Sequence, residues 1–297
     1  MSELSWKNLV SEDEVLSNKT FYRIAGYAQY FAEVSCREQI VYLLKEAKLR
    51  NIAWRVMGSG TNLVIQNGQL RGLTLRLARK AFKDICLNNN VYRAGCSALY
   101  PSLVKQAVEA GFEKAADLGG IPGTLGGALV MNAGGHHGEI GDFVLDVSGF
   151  DAAGQWRVWK KEECGFAYRH SELKGSLLLS CRLDFGVATV KAKKKFSDWV
   201  KWKAESQPTG TRSAGCIFKN PEGHSAGQLI DASGFKGKRI GDIEVSFKHA
   251  NFLLNHGEGN YDDLKSLIEE IKKKVHKDHG IWLEEEVEIW ENDTEGE

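Results

Sequence analysis

Eighteen consecutive positions, LGGIPGTLGGALVMNAGG at 118–135, hold seven glycines and one proline. Backbone this bare gives up conformational entropy in exchange for close approach, either to a neighbouring strand or to a ligand. A shorter stretch of the same kind, GSGTNLVI at 58–65, follows directly on the apolar segment IAWRVM at 52–57. There Gly58 and Gly60, with Ser59, Thr61 and Asn62, offer the N–H groups and short side chains that wrap phosphates. Neither spelling is a standard nucleotide loop. The Gly-Lys-Ser/Thr of a Walker loop is missing, and Leu63 stands where the Rossmann fingerprint needs its third glycine. The pattern alone leaves 58–65 open between ligand loop and plain turn, and favours a ligand at 118–135, where glycine N–H groups can reach a pyrophosphate.

Around these loops the chain reads as mixed strands and helices, with the 297 residues suggesting about two domains. Ile40, Leu43, Leu44 and Ala47 predict a helix over 36–50, and Leu103, Val104, Ala107 and Val108 a second one ended by Gly111. GLTLRLA at 72–78 alternates as a strand and is expected to share one sheet system with them. From Phe143 to Phe185 the pattern is β-rich, with DAAG at 151–154 as a turn and LLLSCRLDF at 177–185 as a long strand. The basic run Lys191–Lys195 is the expected domain boundary, followed by a helix over 196–204. Leu264, Leu267, Ile268, Ile271 and Val275 predict an amphipathic helix over 261–279, with Gly280 as its C-terminal cap. The closing IWLEEEVEIW at 281–290 alternates as a strand. Ile281, Leu283, Val287 and Ile289 fall on one face, with Trp282, Glu284, Glu286, Glu288 and Trp290 on the other.

Composition removes several function classes. Thirty-nine basic residues balance thirty-nine acidic ones, so no global field draws the chain to nucleic acid or anionic lipid. Apolar runs such as ALVM at 128–131 fall far short of the roughly 18 residues a membrane span needs. The first fifteen residues show no secretory pattern, which places the expected location in the cytoplasm. Six scattered cysteines without a Cys-x-x-Cys pair suggest free thiols, with no metal site. Adjacent His136 and His137 lack a third ligand and do not alter that reading.

A series of spellings is more specific. NKTFYRIAG (18–26), GSGTNLVI, GGIPGTLGGALVMNAGG, FAYRHS (166–171), SAGCIFKNPEGHSAGQLID (213–231), KHANFLLN (248–255) and the terminal EVEI occur in one order. This series resembles the UDP-N-acetylenolpyruvoylglucosamine reductase family over about residues 15–290. The resemblance implies an α+β fold, with an FAD-binding domain of the vanillyl-alcohol-oxidase type in two subdomains, 1–78 and 79–190. A smaller α+β substrate domain follows over 191–297, whose last strand can return to the flavin domain. It further implies FAD as cofactor, NADPH as co-substrate, a small UDP-sugar as the partner in reaction, and no obligate protein partner. The reaction implied is reduction of an enolpyruvyl ether to UDP-N-acetylmuramate for peptidoglycan. Two alternatives stay open at this stage: a binder of FAD and UDP-sugar without catalysis, and another flavin oxidoreductase of the same superfamily.

Carried over residue by residue, the resemblance assigns Cys216 as proton donor and Arg169 with Glu286 as the pair that polarises the substrate carboxylate. FAD contacts fall on Gly58, Ser59, Gly60, Thr61, Asn62, Gly120, Pro122, Gly123, Thr124, Gly126 and Gly127. Asn220 matches a UDP contact, and Arg212, Lys219, Gln228 and His249 are further polar candidates for substrate binding. A neutral thiol, with a free pKa near 8.5, suits protonation of a carbanion-like centre. A guanidinium suits a bidentate grip on a carboxylate. Glu284 and Glu288 flank Glu286 on one strand face, roughly 7 Å away by strand geometry, so mutual repulsion is expected to raise at least one pKa. The chain departs from the family's pattern at Ala25, at TGTRSAG (209–215) and at Glu288, where glycine, a proline-containing segment and arginine are common. It also lacks room for the tyrosine-bearing insertion of some relatives, and so resembles the shorter subtype.

Overall fold

The computed structural model describes residues 4–24, 26–135 and 138–292; Ala25, His136 and His137, and the readings made at them, lie outside that set. The chain splits into two compact units. Unit 1 takes the chain up to Glu12, Tyr30–Ser59 and Gly72–Lys203, whereas unit 2 takes Asp13–Gln29, Gly60–Arg71 and everything from Ala204. These units are not the consecutive stretches 1–78, 79–190 and 191–297. Two strands, Tyr27–Val34 and Gln69–Leu77, run through the division, so the segments at their ends are delivered to different units.

Helices α1 (Trp6–Leu9), α2 (Arg37–Leu49), α3 (Tyr100–Glu109), α4 (Leu125–Val130) and α5 (Ala192–Ser206) start in unit 1; α6 (Ala226–Ala232) and α7 (Tyr261–His279) belong to unit 2. No helix among the described residues is long and apolar enough to cross a membrane. The expected boundary at Lys191–Lys195 is instead the start of α5, longer than the predicted 196–204. Lysine is a good helix former, and Lys195 Nζ reaches Asp117 at 2.8 Å while Lys194 Nζ reaches Asp198 at 3.0 Å.

Unit 1 holds a five-stranded antiparallel sheet in the order Trp156–Lys160, Val144–Phe150, Leu177–Asp184, Val91–Gly95, Ile85–Asn88. The DAAG turn joins its first pair as expected: Asp151 Oδ1 accepts from the N–H of Ala153 and Gln155, at 3.0 and 2.8 Å. A register shift between Ser148 and Gly149 lets the long strand serve two cores. Leu177 and Leu179 join the core of α2, whereas Leu178, Cys181 and Leu183 join that of α3 and α4. The strand at 72–78 does not share this sheet, contrary to the expectation of one sheet system. Leu73–Leu75 instead pairs in parallel with Trp54–Val56 in a separate four-stranded sheet.

Unit 2 is organised by α7. Asn260 caps its start by accepting from Asp263 N–H at 3.0 Å, and Gly280, with φ +72°, ends it in the left-handed conformation. Leu264, Leu267, Ile268, Ile271 and Val275 are buried, as the spacing predicts. Three short antiparallel strands, Arg239–Ile240, Ile243–Val245 and Leu253–Asn255, pack in the same core. The expected ten-residue strand at 281–290 contracts to Glu288–Trp290, parallel to Leu63–Ile65. Leu283 and Val287 are buried as the alternation predicts, but Glu285 between them would also face the core. Its carboxylate pairs with Lys272 of α7 at 2.9 Å, and the chain makes only an isolated bridge there, Phe218 to Glu285.

Candidate active site

Both glycine loops contribute to unit 1, and there they meet. A Cβ on Gly58 would lie 2.8 Å from Thr124 Oγ1, so the first loop needs its glycine to pass the second. Thr124 caps α4, its Oγ1 accepting from Gly127 N–H at 3.3 Å. Not every donor of this helix start is open to a ligand. Leu125 N–H goes to Ala98 O and Gly126 N–H to Cys96 O, each at 2.9 Å, while Gly123 O accepts from Tyr100 N–H. Among the described residues, the N–H groups of Gly123 and Thr124 enter no internal hydrogen bond; neither do those of Gly58, Ser59, Gly60 and Thr61. Within unit 1 the backbone donors of Gly58, Ser59, Gly123 and Thr124, two of them on glycine, are without an internal acceptor and form a cradle suited to an anionic ligand. Helix α5 covers the start of the second loop: Trp199 Nε1 and Lys203 Nζ both donate to Gly119 O, at 3.1 and 2.9 Å. Pro122 and Gly127 are exposed, as is Gly120, whose φ of +70° favours glycine.

Arg169 sits just beyond, also in unit 1, with its backbone in the left-handed region at φ +53°. That conformation is uncommon for a non-glycine residue and marks a position held by its surroundings. Its Nη1 donates to Glu139 Oε1 at 3.3 Å and its Nη2 to Gly134 O at 3.1 Å. Tyr168 packs against the guanidinium at 4.9 Å. Glu139 is steadied in turn by Asn132, whose Nδ2 donates to Glu139 Oε2 at 2.6 Å and to Ala167 O at 2.9 Å. Asn132 is itself buried, with a positive φ of +43°, and its Oδ1 accepts from Gly141 N–H.

Cys216 and Glu286 come together in unit 2. Residues 216–219 form a strand-like arm: Glu286 N–H donates to Ile217 O at 2.7 Å, and Lys219 N–H to Glu284 O at 2.8 Å. The first glycine loop joins this patch through Asn62. Its Nδ2 donates to Glu286 O, and its carbonyl accepts from Glu288 N–H, both at 3.0 Å. Cys216 is half-buried, unlike Cys96 and Cys181, which are fully buried and whose thiols burial pushes up. Cys164 is also buried, its thiol pushed up to about 11 by desolvation. Those three behave as small core residues; Cys216 keeps access. None of the six cysteines is in a disulfide. Of the acidic residues near Glu286, Glu284 pairs with Lys219 and Glu285 with Lys272.

The remaining candidates divide by what they touch. Asn220 Oδ1 accepts from Ala226 N–H at 3.0 Å, at the start of α6. Arg212 Nη1 donates to Gly257 O at 3.3 Å. Gln228 is exposed on α6. The ring of His249 lies edge-on to Phe252, and desolvation holds its pKa below the usual imidazole range. Three residues that hold these groups in place escape sequence reasoning: Glu139, Asn132 and Asn251. The last two sit inside quoted motifs, NAGG and KHANFLLN, and their one local signal is a short amide within an otherwise apolar or glycine-rich stretch.

Comparison with known proteins supplies the family. An FAD binding domain model matches residues 28–159, and a model for the C-terminal domain of UDP-N-acetylenolpyruvoylglucosamine reductase matches 207–290. The reductase of Moorella thermoacetica is 34% identical over 283 residues, covering 95% of this chain and 93% of its own. That of Desulforamulus reducens is 35% identical, covering 95% and 94%. The crystal structure of the Thermus caldophilus reductase superposes with a TM-score of 0.80 at 33% identity, over 93% of this chain and 97% of the other. The chain belongs to the UDP-N-acetylenolpyruvoylglucosamine reductase family. Its FAD binding match spans both glycine loops. The reductase C-terminal match spans Arg212, Cys216, Asn220 and Glu286, and Arg169 lies in the interval between the two matches.

Proposed function

We propose that Cys216, Glu286 and Arg169 divide the chemistry of the family's reaction on this chain. That reaction is the FAD- and NADPH-dependent reduction of the enolpyruvyl ether of UDP-N-acetylglucosamine to UDP-N-acetylmuramate in peptidoglycan synthesis. Residues 58–62, with Gly120, Pro122, Gly123, Thr124, Gly126 and Gly127, would hold FAD, which when bound supplies the hydride. Hydride addition to the enol carbon remote from the carboxylate leaves negative charge developing beside that carboxylate. Arg169 binds the carboxylate through its guanidinium and stabilises this charge. Cys216 then gives its Sγ proton to the neighbouring carbon, and solvent returns a proton to the thiolate. Glu286, fixed beside Cys216 by its own backbone N–H, assists in polarising the carboxylate. Asn220, Lys219, Arg212, Gln228 and His249 serve the UDP-sugar, and the enzyme works in the bacterial cytoplasm on this small-molecule substrate.

The observation that carries this reading is the hydrogen-bonded patch in unit 2. Within unit 2 the side-chain amide of Asn62 donates to Glu286 O, and Glu286 N–H donates to Ile217 O, next in the chain to Cys216. The test is anaerobic. NADPH is added to the purified yellow protein, then the enolpyruvyl substrate, and the flavin absorbance is followed with product analysis. Bleaching followed by return of colour, with UDP-N-acetylmuramate formed, is the expected result. Bleaching without return means that another acceptor is used, and the assignment fails.

A further inference from the structure

The Cys216 arm has two edges, each with a short run of strand-like pairing. On one edge, Ile217 O accepts from Glu286 N–H at 2.7 Å and from Val287 N–H at 3.3 Å, and Lys219 N–H donates to Glu284 O. On the other edge Cys216 makes an isolated antiparallel bridge with Phe252, and at Phe218 a single side chain takes the place of the next strand residue. Asn251 Oδ1 accepts from Phe218 N–H at 2.9 Å and its Nδ2 donates to Phe218 O at 2.8 Å, while its own carbonyl accepts from Ile217 N–H at 2.9 Å. Asn251 is 2% exposed. Its own N–H is turned toward His249 Nδ1, at 3.3 Å, a ring whose desolvation favours the neutral form that accepts there.

We infer that Asn251 is a positioning residue for Cys216: its carboxamide stands in for a missing strand partner and fixes the register in which Cys216 and Glu286 are presented together. The chemistry of the pairing is selective. Phe218 offers one N–H and one carbonyl on the same edge, and a carboxamide carries one acceptor and one donor side in a plane. Leucine would fill the space and leave both buried groups without partners. Aspartate would accept from the N–H but set a carboxylate against the carbonyl. The pairing is specific to Asn251 among the asparagines that bind this patch, since Asn62 uses its amide on the opposite side, at Glu286 O.

The inference rests on the proposed role of Cys216 for its meaning, and two readouts keep the two separable. In the Asn251→Leu holoenzyme, iodoacetamide labelling resolved by peptide mass spectrometry should proceed about fivefold or more faster at Cys216 as the arm opens locally. Exposed Cys86 should label at an unchanged rate and serves as the internal control. Turnover should fall about 10²-fold through misplacement of the reacting groups, with bound flavin and the KM for NADPH preserved. Labelling and kcat both within twofold of the parent overturn the inference, and so does unchanged kcat even where labelling rises. Asn251→Asp gives a second test that does not require leucine to be tolerated. A protonated carboxyl regains a donor and an acceptor, so kcat relative to the parent should rise as pH falls toward the carboxyl range; a flat ratio overturns the inference. A parent protein that never reduces the enolpyruvyl ether contradicts the proposed function, while the labelling ratio still decides whether Asn251 holds the arm.

Discussion

Arg169 and Cys216 are placed by opposite means. Arg169 stands at a left-handed turn, and its guanidinium is aimed by a carboxylate, Glu139, which Asn132 holds in turn. Cys216 sits on an extended arm whose backbone is hydrogen-bonded on both edges, with the Lys219–Glu284 ion pair only at its far end. The lesson concerns tolerance. A group aimed by side chains is sensitive to single charge deletions around it, whereas a group carried on a laddered arm is sensitive to loss of backbone partners and indifferent to most surface charge.

That comparison can be broken at several points, beginning with the largest effect. Arg169→Met should lower turnover about 10²–10³-fold, the scale of removing one preorganised charge-stabilising donor, while NADPH still bleaches the flavin. Stopped-flow traces of the two half-reactions check this. Glu139→Ala should act in the same direction but more weakly, raising the KM for the enolpyruvyl substrate about tenfold as the guanidinium loses its charge-assisted partner. An unchanged KM would show that Arg169 is held by its backbone alone, like Cys216. Gly58→Ala should displace Thr124 Oγ1 from its cap on Gly127. Loss of such a cap costs about 1 kcal/mol, so FAD affinity, measured by fluorescence titration, should weaken by roughly fivefold.

The smallest expected effect concerns pH. Desolvation depresses the pKa of His249 in the folded protein, so between that value and the ordinary imidazole value the unfolded chain binds more protons. Stability from this group is therefore present above about pH 6.5 and is lost as pH falls through the folded pKa. His249→Gln should flatten the acid side of the Tm profile by about 1–3 °C, read by differential scanning calorimetry. A profile that keeps its slope would mean that other groups carry it, with Asp146, whose carboxyl is held below its usual range by its hydrogen bonds to Arg182, the first to replace.

What was legible in the sequence follows from range. Helix α7 is readable because its apolar stripe and Gly280 are local signals, and the DAAG hairpin is readable for the same reason. The glycine loops announce themselves by density. The basic run at 191–195 misleads because lysines suit a linker and a helix start equally well, and only the contacts of Lys195 with Asp117 and Lys194 with Asp198 decide. The strand at 281–290 fails at Glu285, where alternation alone puts a carboxylate toward the core and Lys272, thirteen positions earlier, resolves it. The arrangement of the site is least legible. Asn251 pairs with Phe218 across 33 positions and Asn62 with Glu286 across 224, separations at which no periodicity connects the partners. Motif resemblance names Cys216, Arg169 and Glu286, but what holds them is visible only in the fold.

The central claim is that Cys216 supplies the proton, and a single-turnover measurement addresses it most directly. Parent, Cys216→Ser and Cys216→Ala proteins are each bleached anaerobically with one equivalent of NADPH, then mixed with enolpyruvyl-UDP-N-acetylglucosamine. Return of the yellow absorbance should be fast in the parent, retained in part by serine, and slowed about 10²–10⁴-fold by alanine, the range for loss of a general acid. Alanine protein that returns to the oxidised spectrum at the parent rate, with product formed, would contradict the account.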